Sequence, residues 1–132
     1  MIIPHFETLE KAISEEPLIV SFDLHRNYTS AVTAYIKAEI IFTNGTRLAL
    51  FQHVKTDGVR LFITDYRYHY MTADDQMIFR YDNAPHHPGT ENFPHHKHTL
   101  SGIISSDMPE IRDVMNEITS MILSSDSDYY PF

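Results

Sequence analysis

The sequence predicts an α+β fold: an N-terminal helix, a five-stranded antiparallel meander, a long loop rich in histidine and proline, and a C-terminal helix. Apolar residues recur at helical spacing only near the two ends of the chain. Between them the pattern alternates with a period of two, interrupted by Asn-Gly and Asp-Gly turn signals. We expect one domain over residues 1–123 and an acidic, flexible tail over residues 124–132.

Composition and charge restrict the classes of function. The chain has no cysteine, which excludes disulfides and thiolate metal sites. It has no apolar run near the ~20 residues that a membrane span needs, and no secretory signal, so we expect a cytoplasmic protein that does not contact a membrane. The net charge of −8 argues against broad binding of nucleic acid. RNA would have to bind at a local basic patch.

The first helix is expected over residues 7–16, because Phe6, Leu9 and Ile13 recur at helical spacing and Pro17 ends the pattern. From Leu18 the period changes to two, and a first strand over residues 18–24 is predicted.

Two further strands, over residues 31–43 and 47–54, flank the turn signal Asn44-Gly45. A three-residue loop with a bulge places Leu48 and Leu50 opposite Ile40 and Ala38, whereas a two-residue loop places Ala49 and Phe51 there. We favour the first register.

The fourth strand, over residues 59–71, changes its apolar phase near Thr64, which predicts a bulge. A tight turn, with Ala73 opposite Gln76, leads into a fifth strand that ends at Asp82. Side-chain alternation then sorts the hairpin into an apolar face and a polar face. The predicted pairs are Tyr68 with Tyr81, Tyr70 with Phe79, Arg67 with Asp82, and His69 with Arg80.

Residues 83–99 are predicted to form a loop, because they include Pro85, Pro88 and Pro94 among polar residues. Ser106 or Asp107 is expected to cap the final helix. Its apolar stripe is Ile111, Val114, Met115, Ile118 and Ile122.

Residues 66–98 hold six of the nine histidines, and their pattern resembles the TumE-like toxin family of toxin–antitoxin systems. The features that carry the resemblance are Tyr66-Arg67-Tyr68-His69-Tyr70, then residues 79–87 (FRYDNAPHH), then residues 93–98 (FPHHKH). The resemblance implies a toxin whose partner is a cognate DNA-binding antitoxin, and a homodimer is possible. By analogy with other small α+β toxins, we expect a ribonuclease.

RNA cleavage needs a base, an acid and a cation at the phosphate, and histidine and arginine supply these near neutral pH. We expect no cofactor in this mechanism. The predicted catalytic residues are His69, Asp82, His86, His87, His95 and His96. The predicted substrate-binding residues are Tyr66, Arg67, Arg80 and Lys97.

Three alternatives stay open. Histidines can also bind a divalent transition metal, which would activate water for phosphodiester hydrolysis. The candidate ligands are His86, His87, His95, His96 and His98, together with the Asp82 carboxylate. The cluster can also be structural, or the protein can be a binding module without chemistry.

Overall fold

The computed structural model describes residues 1–84 and 94–129, with side chains as far as Ser124. These residues form helix α1 (Ile2–Ser14), seven strands and helix α2 (Ile111–Tyr129). The strands are β1 (Ile19–Tyr28), β2 (Thr33–Phe42), β3 (Arg47–Thr56), β4 (Leu61–Met71), β5 (Met77–Asp82), β6 (His96–Thr99) and β7 (Gly102–Ser105).

The strands form one antiparallel sheet whose order follows the chain from β1 to β7. The α+β class and the meander are confirmed, but the predicted number of five strands is wrong. β6 lies inside the predicted loop, and β7 follows it. Both were missed because β6 is polar throughout and all four residues of β7 are exposed, so neither shows the alternation that marks a half-buried strand.

The predicted register of the β2–β3 hairpin and the predicted bulge in β4 are confirmed. Leu48 pairs with Ile40 and Leu50 with Ala38, as the turn at Gly45, whose φ is +86°, requires. On β4 the register changes because His53 pairs with Asp65 while Val54 pairs with Ile63. Thr64 is the extra residue, so the apolar phase of β4 shifts there.

The predicted β4–β5 register is confirmed for all four pairs: Arg67–Asp82, Tyr68–Tyr81, His69–Arg80 and Tyr70–Phe79. The predicted closing turn is wrong, since Met71 pairs with Met77 and the Thr72 N–H donates to the Gln76 carbonyl. Asp75 has a φ of 71°, which allows this longer turn.

Both helices pack on one face of the sheet, and their buried residues share one core with the strands. The tyrosine row belongs to this core, because Tyr68 and Tyr70 are 0% and 1% exposed. The helices contribute Ile2, Phe6, Leu9, Ile13, Val114, Met115, Ile118 and Ile122. The opposite face of the sheet, called the open face below, is not covered by either helix.

Both helices differ from the predicted bounds. α1 begins at Ile2 because Ile2 and Phe6 extend its buried stripe by one turn. Ser106 and Asp107 do not cap α2; instead the Glu110 N–H donates to the Asp113 carboxylate, which satisfies an otherwise free donor at the helix start. α2 begins at Ile111 and extends to Tyr129.

Candidate functional site

Two rows of side chains cross the open face because the register runs unbroken from strand to strand. The first row contains His25, Lys37, Phe51, Arg67, Asp82, His96 and Ser105. The second row contains Asp23, Glu39, Ala49, His69, Arg80, His98 and Ile103. Side chains alternate between faces along a strand, so both rows point away from the helices.

Asp82 lies at the centre of a charge cluster on the open face. Its side chain is only 7% exposed, and its Oδ2 accepts from Arg80 Nε at 2.8 Å. His96 Nε2 lies 2.7 Å from Oδ1, and the Ala84 N–H donates to the same oxygen at 3.2 Å. A buried carboxylate needs such partners, because an isolated buried charge is very unfavourable. Asp82 is thus paired with Arg80, not with Arg67.

Two histidines of β6 complete the cluster. The His96 Nδ1 donates to the Pro94 carbonyl at 2.8 Å, which orients its ring with Nε2 towards Asp82. His98 Nε2 lies 3.1 Å from an Arg80 NH2 group and 3.4 Å from Asp82 Oδ2. The side chain of His96 is 2% exposed and that of His98 is 15% exposed. His96 therefore acts as a support for the cluster, whereas His98 reaches the surface.

His69 is half-buried between Arg67 and Arg80. Burial lowers its pKa below the usual value for histidine, and the charges of Arg80 and Arg67 lower the pKa further. Its Nε2 is buried and has no hydrogen-bond partner in residues 1–84 and 94–124. A neutral imidazole with a free nitrogen is the form that can accept a proton.

Arg67 and Lys37 are exposed on the first row, on either side of Phe51. Neither has a carboxylate within 4.0 Å in the part of the chain with described side chains. Arg80 is the opposite case, because its charge is already paired with Asp82. Arg67 is therefore available to bind a phosphate in a bidentate manner.

Three of the predicted site residues lie on the helix side of the sheet. Tyr66 is 3% exposed, and its hydroxyl is 3.0 Å from His95 Nδ1, with the two rings stacked. Lys97 pairs with Glu117 of α2 at 2.6 Å, next to Tyr81, whose hydroxyl donates to the same carboxylate. The sheet thus separates Tyr66, His95 and Lys97 from His69.

This helix-side group has shifted pKa values. Burial raises the pKa of Tyr66 and of Tyr81, and the bond to Glu117 raises that of Tyr81 further. For Lys97, burial acts to lower the pKa, but the hydrogen bonds to Glu117 and Tyr81 outweigh it and raise the pKa. A lysine paired in this way fastens β6 to α2 and is poorly placed to bind substrate on the open face.

His86 and His87, predicted to be catalytic, lie outside the described residues. Of the predicted site, the structure therefore brings together Arg67, His69, Arg80, Asp82 and His96.

The candidate metal ligands that come together are Asp82, His96 and His98, with one ligand atom of each within 4.8 Å of the others. Two histidines and one carboxylate can hold a transition metal. However, Arg80 donates to the Asp82 carboxylate and lies against His98 Nε2. An ion would have to displace this guanidinium from both ligand atoms. As arranged, the donor set fits a metal poorly.

A family model described as Toxin TumE matches residues 9–124, which is most of the chain and includes both rows. The chain belongs to the TumE toxin family. This confirms the resemblance and makes the protein a toxin, whose expected partner is an antitoxin. Comparison with curated proteins and with solved structures finds no significant match. Within the described residues of this TumE family member, neither helix is long and apolar enough to cross a membrane.

Sequence reasoning missed two parts of this surface. His98 was considered only as a metal ligand, because its strand β6 was not predicted. Lys37 and Phe51 were not considered as site residues, although the confirmed hairpin register already places them side by side. Extending that register to Arg67 would have revealed the row.

Proposed function

We propose that this toxin is a ribonuclease that cleaves cellular RNA by histidine acid–base catalysis, with His69 as the general base. One observation carries the proposal: His69, whose pKa is lowered, lies between Arg67 and Arg80 on the face of the sheet that neither helix covers. This combination supplies a proton acceptor beside Arg67, whose guanidinium is available to bind a phosphate.

The reaction follows from these positions. The His69 imidazole takes the proton of a 2′-hydroxyl through its Nδ1, because its Nε2 is buried, and the resulting oxygen attacks the adjacent phosphorus. Arg67 binds the non-bridging phosphate oxygens and stabilises the charge that grows on them, with Arg80 beside it. The bond from phosphorus to the 5′-oxygen breaks, and that oxygen takes a proton from an acid. The products are a 2′,3′-cyclic phosphate and a 5′-hydroxyl.

His98 is our candidate for the acid. It lies in the second row on the far side of Arg80 from His69, two strand spacings away, or about 10 Å. In-line attack puts the entering and leaving oxygens on opposite sides of the phosphorus, so the base and the acid belong on opposite sides of the phosphate. Asp82 and His96 position Arg80 and His98. His86 and His87 stay candidates for the acid.

The biological setting follows from the family and the chemistry. We propose that the antitoxin is a DNA-binding protein, that a basic antitoxin surface complements the net charge of −8, and that the toxin acts in the cytoplasm, where its RNA substrate is. A homodimer remains part of this proposal.

The second candidate is a metal-dependent phosphodiesterase at Asp82, His96 and His98, whose ligand atoms lie close together but would first have to be freed from Arg80. Purified toxin incubated with RNA, with and without EDTA, separates the two. Cleavage that resists EDTA and leaves 2′,3′-cyclic phosphate ends supports the first mechanism. Loss of cleavage in EDTA supports the metal, and no cleavage in either condition contradicts both.

His69→Ala tests the assignment of the base. We expect a loss of cleavage of roughly 100-fold or more, the usual contribution of general-base catalysis. His53→Ala is the matched control, because His53 is a half-buried open-face histidine that bonds Thr64 outside the two rows. If His69→Ala still folds, still binds the antitoxin and retains full toxicity, then His69 is not the base. In that case a binding module becomes the better account.

A further inference from the structure

The first row has a feature that the proposed reaction does not use: the Phe51 ring lies between two cations. We propose that Lys37, Phe51 and Arg67 form a subsite for single-stranded RNA, in which a base stacks on Phe51 and the flanking phosphates bind Lys37 and Arg67. This rests on the proposed function, because it gives the ribonuclease site the means to hold its substrate.

The register sets the spacing of this subsite. Phe51 on β3 pairs with Lys37 on β2 and with Arg67 on β4, so one cation lies on each side of the ring. Neighbouring strands are about 4.8 Å apart, which separates Lys37 from Arg67 by about 10 Å across the ring. Tyr35 extends the aromatic surface, with its ring centroid 6.2 Å from that of Phe51 and 5.4 Å from Lys37 Nζ.

Among the lysines and arginines of the two rows, Lys37 and Arg67 are without an ion pair to any described side chain, whereas the unpaired Lys55 and Arg60 adjoin Phe62 outside the rows. Five of the ten lysines and arginines lie in ion pairs: Arg26, Arg47, Arg80, Lys97 and Arg112. Within the described side chains, Lys37 and Arg67 have no such partner, and both adjoin the same half-buried aromatic ring. In a chain with a net charge of −8, this is a local basic patch of the kind that RNA binding requires.

The acidic residues nearby restrict the path of the RNA. Asp23 and Glu39 lie in the second row towards β1 and repel phosphate there. Asp65 lies beside His53 at 4.0 Å, and the charge of Asp82 is balanced by Arg80. A strand that crosses Phe51 is therefore directed from Lys37 past Arg67 to His69, which is where the scissile phosphate would lie.

The chemistry of the subsite selects single strands. A base can lie on the Phe51 ring only if it is unstacked from its neighbours, which a duplex does not allow without opening. Stacking on an aromatic ring tolerates all four bases, because every base has a π-face. The expected ligand is single-stranded RNA of mixed sequence.

Fluorescence anisotropy with a 2′-O-methyl RNA oligonucleotide tests this, because blocking the 2′-hydroxyl prevents cleavage during the measurement. We expect Phe51→Ala and Phe51→Leu to weaken binding by about 10-fold, since stacking is lost in both and Phe51→Leu retains apolar bulk. Phe51→Tyr should keep the affinity. We expect Lys37→Ala to lower the slope of log Kd against log salt by roughly 0.7.

Phe22→Ala and Lys11→Ala are the controls, because Phe22 is 39% exposed on the helix side of β1 and Lys11 is exposed on α1. If the wild-type toxin binds and cleaves RNA but the row variants behave like these controls, the subsite is wrong and the proposed function stands. If duplex RNA binds as tightly as single strands, the stacking role is wrong. If the wild-type toxin neither binds nor cleaves RNA, both proposals fail.

Discussion

Replacing Asp82 by asparagine is expected to destabilise the folded toxin by ~3 kcal/mol. The carboxylate is almost fully buried and meets four groups: Arg80 Nε at 2.8 Å, His96 Nε2 at 2.7 Å, His98 Nε2 at 3.4 Å and the Ala84 N–H at 3.2 Å. Asparagine keeps the shape but has only one acceptor oxygen and no charge. Its NH2 group would face either Arg80 or His96.

The size of this destabilisation follows from the charge of Arg80, which would lose its carboxylate partner. Removing one partner of a buried ion pair costs about 3–5 kcal/mol, because the other charge stays buried. The Arg80 side chain is 31% exposed, so water can solvate part of its guanidinium. We therefore expect the lower end of that range.

Urea unfolding followed by circular dichroism measures the change, and an unchanged m-value would show that the two end states are the same. The matched control is Arg112→Gln, which removes an ion pair to Glu15 whose side chains are 59% and 48% exposed. It should cost under ~1 kcal/mol. If Asp82→Asn costs no more than Arg112→Gln, the cluster is not a buried, mutually supporting network and the reasoning is wrong.

The remaining predictions concern a histidine, a tyrosine and a glycine. By NMR, His69 should titrate below the usual range of histidine, and Arg67→Gln should move its midpoint upwards. Because the pKa of His69 is lower in the folded state than in the unfolded state, the free energy of unfolding should decrease as the pH falls below about 6.5. A titration midpoint of His69 at or above that value would contradict the assignment. Burial raises the pKa of Tyr68 to about 12, so stability should fall as the pH rises above about 10, and Tyr68→Phe should reduce that loss. The same change should cost ~1–2 kcal/mol at neutral pH, since the buried Gln52 Nε2 loses its acceptor, and a neutral result in urea unfolding would count against that bond. Gly102→Ala should destabilise the β6–β7 hairpin by ~1 kcal/mol because φ is +124°, although no atom lies within 4 Å of an added Cβ; unchanged hydrogen exchange in β7 would refute it.

Much of the fold could be predicted because its signals are local. The alternation of Tyr66 to Tyr70 against Phe79 to Tyr81 admits one pairing parity, and the four predicted pairs are all present. The shift of apolar residues from odd to even positions near Thr64 predicted the bulge, because one extra residue in a strand reverses which side chains face the core. The alternation of apolar and polar residues predicts a strand only where one face is buried and the other is exposed. β6 is polar on both faces, so the residues 96–99 gave no sign of a strand.

The candidate site was predicted in part. The polar face with Arg67, His69, Arg80 and Asp82 follows from alternation alone. The partner of Asp82 could not be predicted in this way. Arg67 lies directly opposite Asp82 on the neighbouring strand, which suggested that the two form an ion pair. The Asp82 side chain instead contacts Arg80 on its own strand and His96 on β6. Side-chain direction within a face depends on the neighbours that fill it, and those neighbours come from β6.

The sequence by itself determined the toxin family and the separation of tyrosines from charged residues on the central hairpin. Each of these depends on residue types at short spacing, which the chain carries whatever its fold. Only the tertiary structure decided that Lys97 and His95 face the helices, that Asp82 pairs with Arg80, and that Lys37 and Phe51 join Arg67. These contacts depend on the pairing register of all seven strands, because each pair of strands sets the position of the next strand. No short segment of the sequence determines that register by itself.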